Sequence, residues 1–287
     1  MKDRVLVGTL YLVATPIGNL EDISPRALRI LREVRLIAAE DTRQTRKLLS
    51  HFDIHTRTLS YHAHSFPARL KQILAVLEQG DVALVSDAGT PALNDPGYEL
   101  VRAALERGFP VSPIPGPAAP IAALVASGLP TDTFLYLGYL PHKASERRRL
   151  LARVASEPYT LILLETPHRL AAALRDLQEV LGNRQIAVAR ELTKLHEEIF
   201  RGDIAAARAR FAESQVFGEI TLVVAGSRPA GERWSEAQLD QAIEEMLAQQ
   251  HPPTRIAARL ATSSGWPRRQ IYRRVMEKPA HSKATRN

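Results

Sequence analysis

Short apolar runs alternating with amphipathic helical patterns fill the first 115 residues, and this alternation constrains the fold more than any other feature of the chain. Val111–Ile114 is a further short strand, while Thr9–Ala14, Leu36–Ala39 and Asp81–Ser86 are too short for helices and too uniformly apolar for strands with one wet face. They read as strands buried on both sides. Between them, Ser24 stands before Pro25 as an N-cap, with Ala27, Leu28 and Leu31 on the inner face of the helix that follows. Thr42 is expected to cap a second helix with Leu48 and Leu49 inward, and Asp95-Pro96 to start another. The pattern predicts an α/β fold built on a parallel sheet.

In open parallel sheets, ligands sit outside the carboxyl ends of the strands. Three loops at those ends combine Gly with Pro: Pro16-Ile17-Gly18-Asn19, Ser86-Asp87-Ala88-Gly89-Thr90-Pro91 and Pro115-Gly116-Pro117. Rigid turns of this kind let backbone approach a ligand closely. Plain turn chemistry explains any one of them; three on one predicted edge point to a binding site.

A second α/β unit starts near Thr133. Phe134–Tyr139, Thr160–Leu164, Ile186–Arg190 and Glu219–Ala225 read as strands, Ala144–Ser156 as a basic helix, and a further helix ends at Leu181. After a Ser227-Arg228-Pro229-Ala230-Gly231 linker, Ser235 and Gln238 form a capping-box signature, with Leu239, Ala242, Ile243, Met246 and Leu247 at helical spacing behind it. Two shorter helices follow, Thr254–Ala261 and Pro267–Glu277, joined by a Gly-containing turn in the manner of a helix-turn-helix. The expected domains are residues 1–128, 129–228 and a helical extension over 235–280.

Charge is distributed unevenly. The chain carries +7, but the segment from His251 to Asn287 holds nine Arg and Lys against Glu277 alone, so this tail is +8 and the rest about −1. Arg268, Arg269, Arg273 and Arg274 crowd its last helix and suit a phosphate backbone. There is no cysteine. That excludes disulfides, thiolate metal sites and cysteine nucleophiles, and with them the cysteine-activated route to pyrimidine C5 and cysteine-held iron–sulfur clusters. No apolar run is long enough to span a bilayer, and the N-terminal apolar stretch reads as a strand and not a signal peptide, so the cytoplasm is the expected location.

Walker A, G-x-G-x-x-G, G-x-S-x-G and H-E-x-x-H patterns are all missing. His62 and His64 have too few companions for a metal site, so none is expected. What remains is a set of charged residues at strand ends: Glu40, Asp41 and Arg43; Asp87; and Glu165, His168 and Arg169. Helix-start acids and solvated bases account for such residues too, but strand-end loops are where sites in this fold class lie.

Several segments, in order and spacing, resemble one family. They are Tyr11-Leu12-Val13-Ala14-Thr15-Pro16-Ile17-Gly18-Asn19-Leu20-Glu21-Asp22, Ala39-Glu40-Asp41-Thr42-Arg43, Val85-Ser86-Asp87-Ala88-Gly89-Thr90-Pro91, Asn94-Asp95-Pro96-Gly97, Pro115-Gly116-Pro117 and Thr166–Arg169. The chain is similar along nearly its whole length to the ribosomal RNA small-subunit methyltransferase I family, within the tetrapyrrole-methylase superfamily. One run departs from the family pattern: where His-x-His-Asn-Glu is expected, the chain reads His62-Ala63-His64-Ser65-Phe66.

The resemblance implies two α/β domains with a cleft between them, S-adenosylmethionine as cofactor, a homodimer, and 2′-O-methylation of a cytidine in 16S rRNA of the small ribosomal subunit. It places the cofactor against Gly89, Thr90, Pro91, Gly116 and Pro117, with Pro16, Gly18, Asp87, Ala88, Ser127 and Leu164 completing the set. For the reaction, Asp41 or Asp87 is the expected base, with His168 a further candidate, and Arg43 and Arg169 are expected to hold phosphates. Two other readings fit parts of the chain. Methylation of a small tetrapyrrole suits the fold but leaves the basic tail without a role. A DNA-binding regulator suits the tail but leaves the distinctive residues of the first 170 without one.

Overall fold

The computed structural model describes residues 8–62, 66–212, 217–227 and 234–278. The first sheet is built from β1 (Leu10–Val13), β2 (Leu36–Ala39), β3 (Thr58–Ser60), β4 (Val82–Val85) and β5 (Val111–Ile114), in the order β3-β2-β4-β1-β5. All its pairings are parallel, as the buried apolar runs required. Around it lie α1 (Pro25–Glu33), α2 (Thr42–His51), α3 (Phe66–Leu77) and α4 (Tyr98–Glu106), and β5 is followed by α5 (Ala119–Ser127). Side chains alternate across the sheet. Leu36, Ala38, Val82 and Leu84 pack against Ile73, Leu74 and Leu77 of α3 and Leu100 of α4. Ile37, Ala39, Ala83 and Val85 pack on the other face against Ala27, Ile30 and Leu31 of α1 and Leu49 of α2.

The second sheet contains β6 (Phe134–Tyr139), β7 (Thr160–Glu165), β8 (Gln185–Arg190), β9 (Glu198–Asp203) and β10 (Ile220–Val224), ordered β6-β7-β10-β8-β9. Only β6 and β7 run parallel; β10 is antiparallel to β7 and β8, and β9 to β8. One face is covered by α6 (Ala144–Arg153), α7 (Leu170–Leu181) and α8 (Ile204–Phe211), which bury Leu151, Leu174, Leu177 and Phe211 against Leu161, Leu163, Val188 and Leu222. The opposite face, with Ile162, Ala187, Ala189 and Val223, packs against Ala123 and Leu124 of α5. The chain passes between the sheets at Gly128, a left-handed residue (φ 78°) that caps α5, but α5 lies on the second sheet. Both sheets therefore belong to one compact unit, residues up to 155 together with 159–226.

A second unit comprises residues 227–287 with the short segment 156–158. It contains α9 (Glu236–Ala248), α10 (Pro253–Ser263) and α11 (Arg268–Glu277). Ser235 and Gln238 form the expected capping box. Leu239, Ile243, Ile256, Leu260, Ile271 and Val275 make a core of its own.

Two local expectations are corrected. Asp41, not Thr42, caps α2, because its carboxylate accepts from the Arg43 amide at 2.8 Å. Asp95-Pro96 does not open α4, which begins at Tyr98 after Gly97 at φ 149°. Ala92 and Asn94, both at φ 66°, carry the chain through a contorted loop first. The polar strand β9 has no apolar run to announce it, since it lies at the edge of the sheet.

Candidate active site

The order β4-β1-β5 sets the three Gly-Pro loops side by side at the carboxyl ends of their strands. They are pinned to one another by backbone. Thr15 and Gly89 exchange N–H···O bonds of 2.9 and 3.0 Å, and the buried Thr15 hydroxyl donates to the Ser86 carbonyl at 3.2 Å. Thr90 donates its hydroxyl to the Pro117 carbonyl at 3.1 Å. Gly89 lies at φ 79°, a conformation that disfavours any side chain. At Gly116 a Cβ would come within 2.9 Å of the Ala14 side chain, so glycine lets the third loop close on the first.

These loops form one wall of a cleft open to solvent. Ala88, Gly89, Thr90 and Asp95 line it from the first sheet, and Tyr136, Tyr139, Leu164 and Glu219 from the second. Of the residues expected around a cofactor, Ala88, Gly89, Thr90 and Leu164 face the cleft. Pro16, Pro91, Gly116 and Pro117 shape the loops behind it. Gly18 packs against the 192–194 segment, where a Cβ would lie 2.4 Å from Lys194 Cγ. Ser127 is buried at the end of α5, where its hydroxyl donates to Leu124 O and accepts from Leu129 N.

Beside this wall, the acids that follow β2 and β4 are cross-linked. The Asp41 amide donates to Asp87 Oδ1 at 3.0 Å, and the Asp87 amide to Glu40 Oε2 at 3.3 Å. Burial pushes the Glu40 and Asp87 carboxyls up from their ordinary values. Asp41 behaves oppositely: hydrogen bonds from the Arg43 side chain hold its carboxyl down at about 2. The Arg43 guanidinium, 84% exposed, is thereby anchored at 2.7 Å and presented to solvent.

Asp95 sits inside the cleft, where a reading of the sequence for helix starts does not place it. Burial, then the nearby Glu40, push its carboxyl up to about 6. The signal available is the Asn94-Asp95-Pro96-Gly97 run, which is turn chemistry as much as helix-start chemistry.

The group after β7 is arranged differently. Arg169 is 12% exposed; it donates to the carbonyls of Leu140 and Pro141 and pairs with the fully buried Glu165 at 3.2 Å. It holds the turn after β6 and has little left to offer a phosphate. His168 is exposed beside Thr166, with its Nε2 3.3 Å from the hydroxyl. His62 is exposed, while His64 lies outside the described residues. Among the described residues no cluster of three His, Cys, Asp or Glu is placed to hold a metal.

In the helical unit the four arginines divide. Arg274 is bound to Asp240 at 2.7 and 2.8 Å and to Glu236 at 3.0 Å, with its guanidinium 5.6 Å from the Trp266 ring centroid. Arg268, Arg269 and Arg273 are exposed on α11.

Comparison with known proteins gives this architecture its context. Residues 9–208 match the tetrapyrrole (corrin/porphyrin) methylase family. The chain is 49% identical to a ribosomal RNA small subunit methyltransferase I from Synechocystis, over 94% of this chain and 98% of that one. It is 46% identical to a protein of the same name from Thermotoga maritima, over 77% of this chain and 99% of the relative. A diphthine synthase crystal structure superposes with a TM-score of 0.60 at 14% identity, covering 76% of this chain and 90% of that one, which is a likeness of fold. Among the described residues no helix is long and apolar enough to cross a membrane. The chain is a methyltransferase, and it belongs to the ribosomal RNA small subunit methyltransferase I family of the tetrapyrrole methylases.

Proposed function

We propose that the protein transfers a methyl group from S-adenosylmethionine to the ribose 2′-hydroxyl of a cytidine in 16S rRNA of the small ribosomal subunit. The observation that carries this reading is the near-complete coverage, at 49% identity, of a relative named for ribosomal RNA methylation. The cleft suits the cofactor. Its floor is backbone and small side chains, and the Glu219 carboxylate in its lining complements a cation.

When bound, S-adenosylmethionine supplies a methyl group already activated on a sulfonium. The protein's task is to align the acceptor oxygen and keep water away. The pinned loops at Gly89–Thr90 and Gly116–Pro117 give the rigid wall that this alignment needs. Arg43, anchored by Asp41, would hold a phosphate near the target nucleotide. That anchoring occupies Asp41 and fits it poorly for proton acceptance. Asp87 holds the Asp41 amide, His168 stands at the exposed end of the second sheet's contribution, and Arg169 supports the site from behind. Arg268, Arg269 and Arg273 would grip rRNA phosphates away from the target. The protein would act in the cytoplasm, where ribosomal subunits are made, as a homodimer. Ile121 and Val125, exposed one turn apart on α5, are apolar side chains that a second copy would cover.

The test supplies methyl-labelled S-adenosylmethionine together with either unmodified small ribosomal subunits or a tetrapyrrole precursor. Digested rRNA should yield its label as 2′-O-methylcytidine. Label in the tetrapyrrole, or in another nucleoside, would overturn the reading.

A further inference from the structure

The acid that faces the cleft from the first sheet is Asp95, and an unusual amount of structure holds it there. It lies in the loop between β4 and α4, where Ala92 and Asn94 both take φ 66° and Gly97 φ 149°. Non-glycine residues in this region are strained, and such strain persists only where surrounding contacts enforce it. The contacts are present. Tyr136 of β6 donates its hydroxyl to Asn94 Oδ1 at 2.6 Å. Gly138, at the β6 bulge, leaves the space Asn94 occupies: a Cβ there would be 2.5 Å from Asn94 Nδ2. Gly97 lies against Leu84, to whose Cδ2 a Cβ would come within 2.7 Å.

The groups that act on the Asp95 carboxyl include the Ser86 hydroxyl, the carboxyls of Glu40, Asp87 and Glu219, and the phenols of Tyr136 and Tyr139. No cation is among them. Among the described residues this half-buried carboxylate has no salt bridge, and it lines the cleft.

We propose that Asp95 is the proton acceptor of the methyl transfer, an assignment that rests on the function proposed above. Its carboxylate takes the proton of the ribose 2′-hydroxyl as that oxygen bonds to the methyl carbon. The electron pair of the breaking carbon–sulfur bond stays on sulfur, leaving a thioether, a methyl ether and a neutral Asp95.

The other candidates are less suited. Asp41, held at about 2, is spent on Arg43. Burial pushes the Tyr136 phenol up to about 12, so it keeps its proton. Glu165 is fully buried against Arg169. Glu219 is exposed, where water weakens a base's advantage. With its carboxyl near 6, Asp95 is ionised at neutral pH and still basic enough to compete for the proton.

The experiment compares the wild-type protein with Asp95→Asn and Asp95→Glu on unmodified small subunits, by single-turnover rate from about pH 5 to about pH 9, with calorimetric titration of S-adenosylmethionine alongside. The wild-type rate should climb with pH and level off above the Asp95 midpoint. Asp95→Asn should lower it by about 10²–10⁴-fold and flatten the pH profile, and Asp95→Glu should restore part of both. Cofactor affinity should stay within about twofold in each variant, which also shows that the variants fold. If the wild type methylates 2′-hydroxyls and Asp95→Asn keeps its rate within about threefold, the assignment fails alone. It fails equally if Asp95→Asn loses cofactor affinity in proportion to rate, since Asp95 would then be a cofactor contact. A wild type inactive on 2′-hydroxyls overturns the functional reading and the assignment together.

Discussion

Tyr136 and Asn94 join the two sheets across the mouth of the cleft through a single 2.6 Å hydrogen bond, in which the phenol donates and the side-chain carbonyl accepts. Because Asn94 precedes Asp95 in a loop of left-handed residues, the bond fixes the direction of the neighbouring carboxyl as well. Removing the hydroxyl in Tyr136→Phe leaves Asn94 free to rotate. Global stability should fall by only about 1 kcal/mol, the usual worth of such a bond. The transfer rate should fall further, by roughly tenfold, because small displacements of a reacting group are expensive. Urea unfolding and single-turnover kinetics on the same preparation separate the two effects; a rate loss no larger than the stability loss would mean that the bond is only structural.

What is legible in the sequence, and what is not, follows the range of the interactions. The span Leu36–Ala39 of β2, the Ser24 cap of α1 and the Ser235–Gln238 capping box depend on residues within four positions, and each appears where the pattern puts it. That the three Gly-Pro loops share one edge is also readable, because a parallel sheet leaves short loops no alternative. The roles of individual charged residues are not. Arg169 looks available for phosphate, yet its partners are the carbonyls of Leu140 and Pro141, 29 and 28 positions away. Arg274 looks like its neighbours on α11, but Asp240, 34 positions earlier, claims it. Asp95 reads as a helix start because nothing nearby in sequence reports that Tyr136 of β6, 42 residues beyond Asn94, reaches back to it. Local chemistry is encoded locally; the assignment of a side chain to core, scaffold or cleft is settled by distant packing.

The buried pair Arg147–Asp176 shows the same dependence on distance. Arg147 Nε donates to Asp176 Oδ2 at 2.5 Å with both residues at most 5% exposed, and Arg147 Nη1 also reaches the carbonyls of Pro141 and His142 at 3.3 Å. Asp176→Ala would strand a guanidinium inside the second sheet's helical layer and should cost about 3–5 kcal/mol. A double replacement, Arg147→Met with Asp176→Leu, should recover more than half of that, since it removes both charges together. Denaturant midpoints would decide the matter: a double variant no more stable than Asp176→Ala would show that the carbonyl contacts, and not the ion pair, carry the effect.

The division among the arginines of α11 makes a paired prediction. Replacing Arg268, Arg269 and Arg273 together by Gln should leave the melting of the helical unit within about 0.5 kcal/mol, as expected for exposed positions. It should weaken rRNA binding and lower the slope of log affinity against log salt by about 2. Arg274→Gln should do the reverse, loosening α11 from α9 by removing the partner of Asp240 and Glu236. Its effect on the salt slope should be less than about 1, because that guanidinium is already neutralised. Filter binding across a salt series, with circular dichroism melts of the same proteins, would expose the idea as wrong if Arg274→Gln changed the slope most.

Asp95 should also leave a trace in stability that needs no substrate. Its carboxyl is raised by burial to about 6 in the folded protein, against an ordinary value near 3.8. An acid raised in this way contributes stability that is fully present below its unfolded value and is lost as pH rises through the folded one. At pH 7 and above, the wild type therefore carries the cost of a half-buried carboxylate facing Glu40, Asp87 and Glu219, a cost that the neutral amide of Asp95→Asn avoids. Asp95→Asn should accordingly be more stable than the wild type at neutral pH, by on the order of 1–2 kcal/mol after allowance for partial solvent access. The advantage should shrink between about pH 6 and about pH 4 and vanish below that, where Asp95 is protonated in both folded and unfolded states. Thermal melts of the two proteins over this range read the effect directly. A gain at neutral pH beside a lost methyl-transfer rate is the trade expected of a group kept in the cleft for its chemistry. An Asp95→Asn protein less stable at every pH would show instead that the carboxylate is a structural ligand of its own loop.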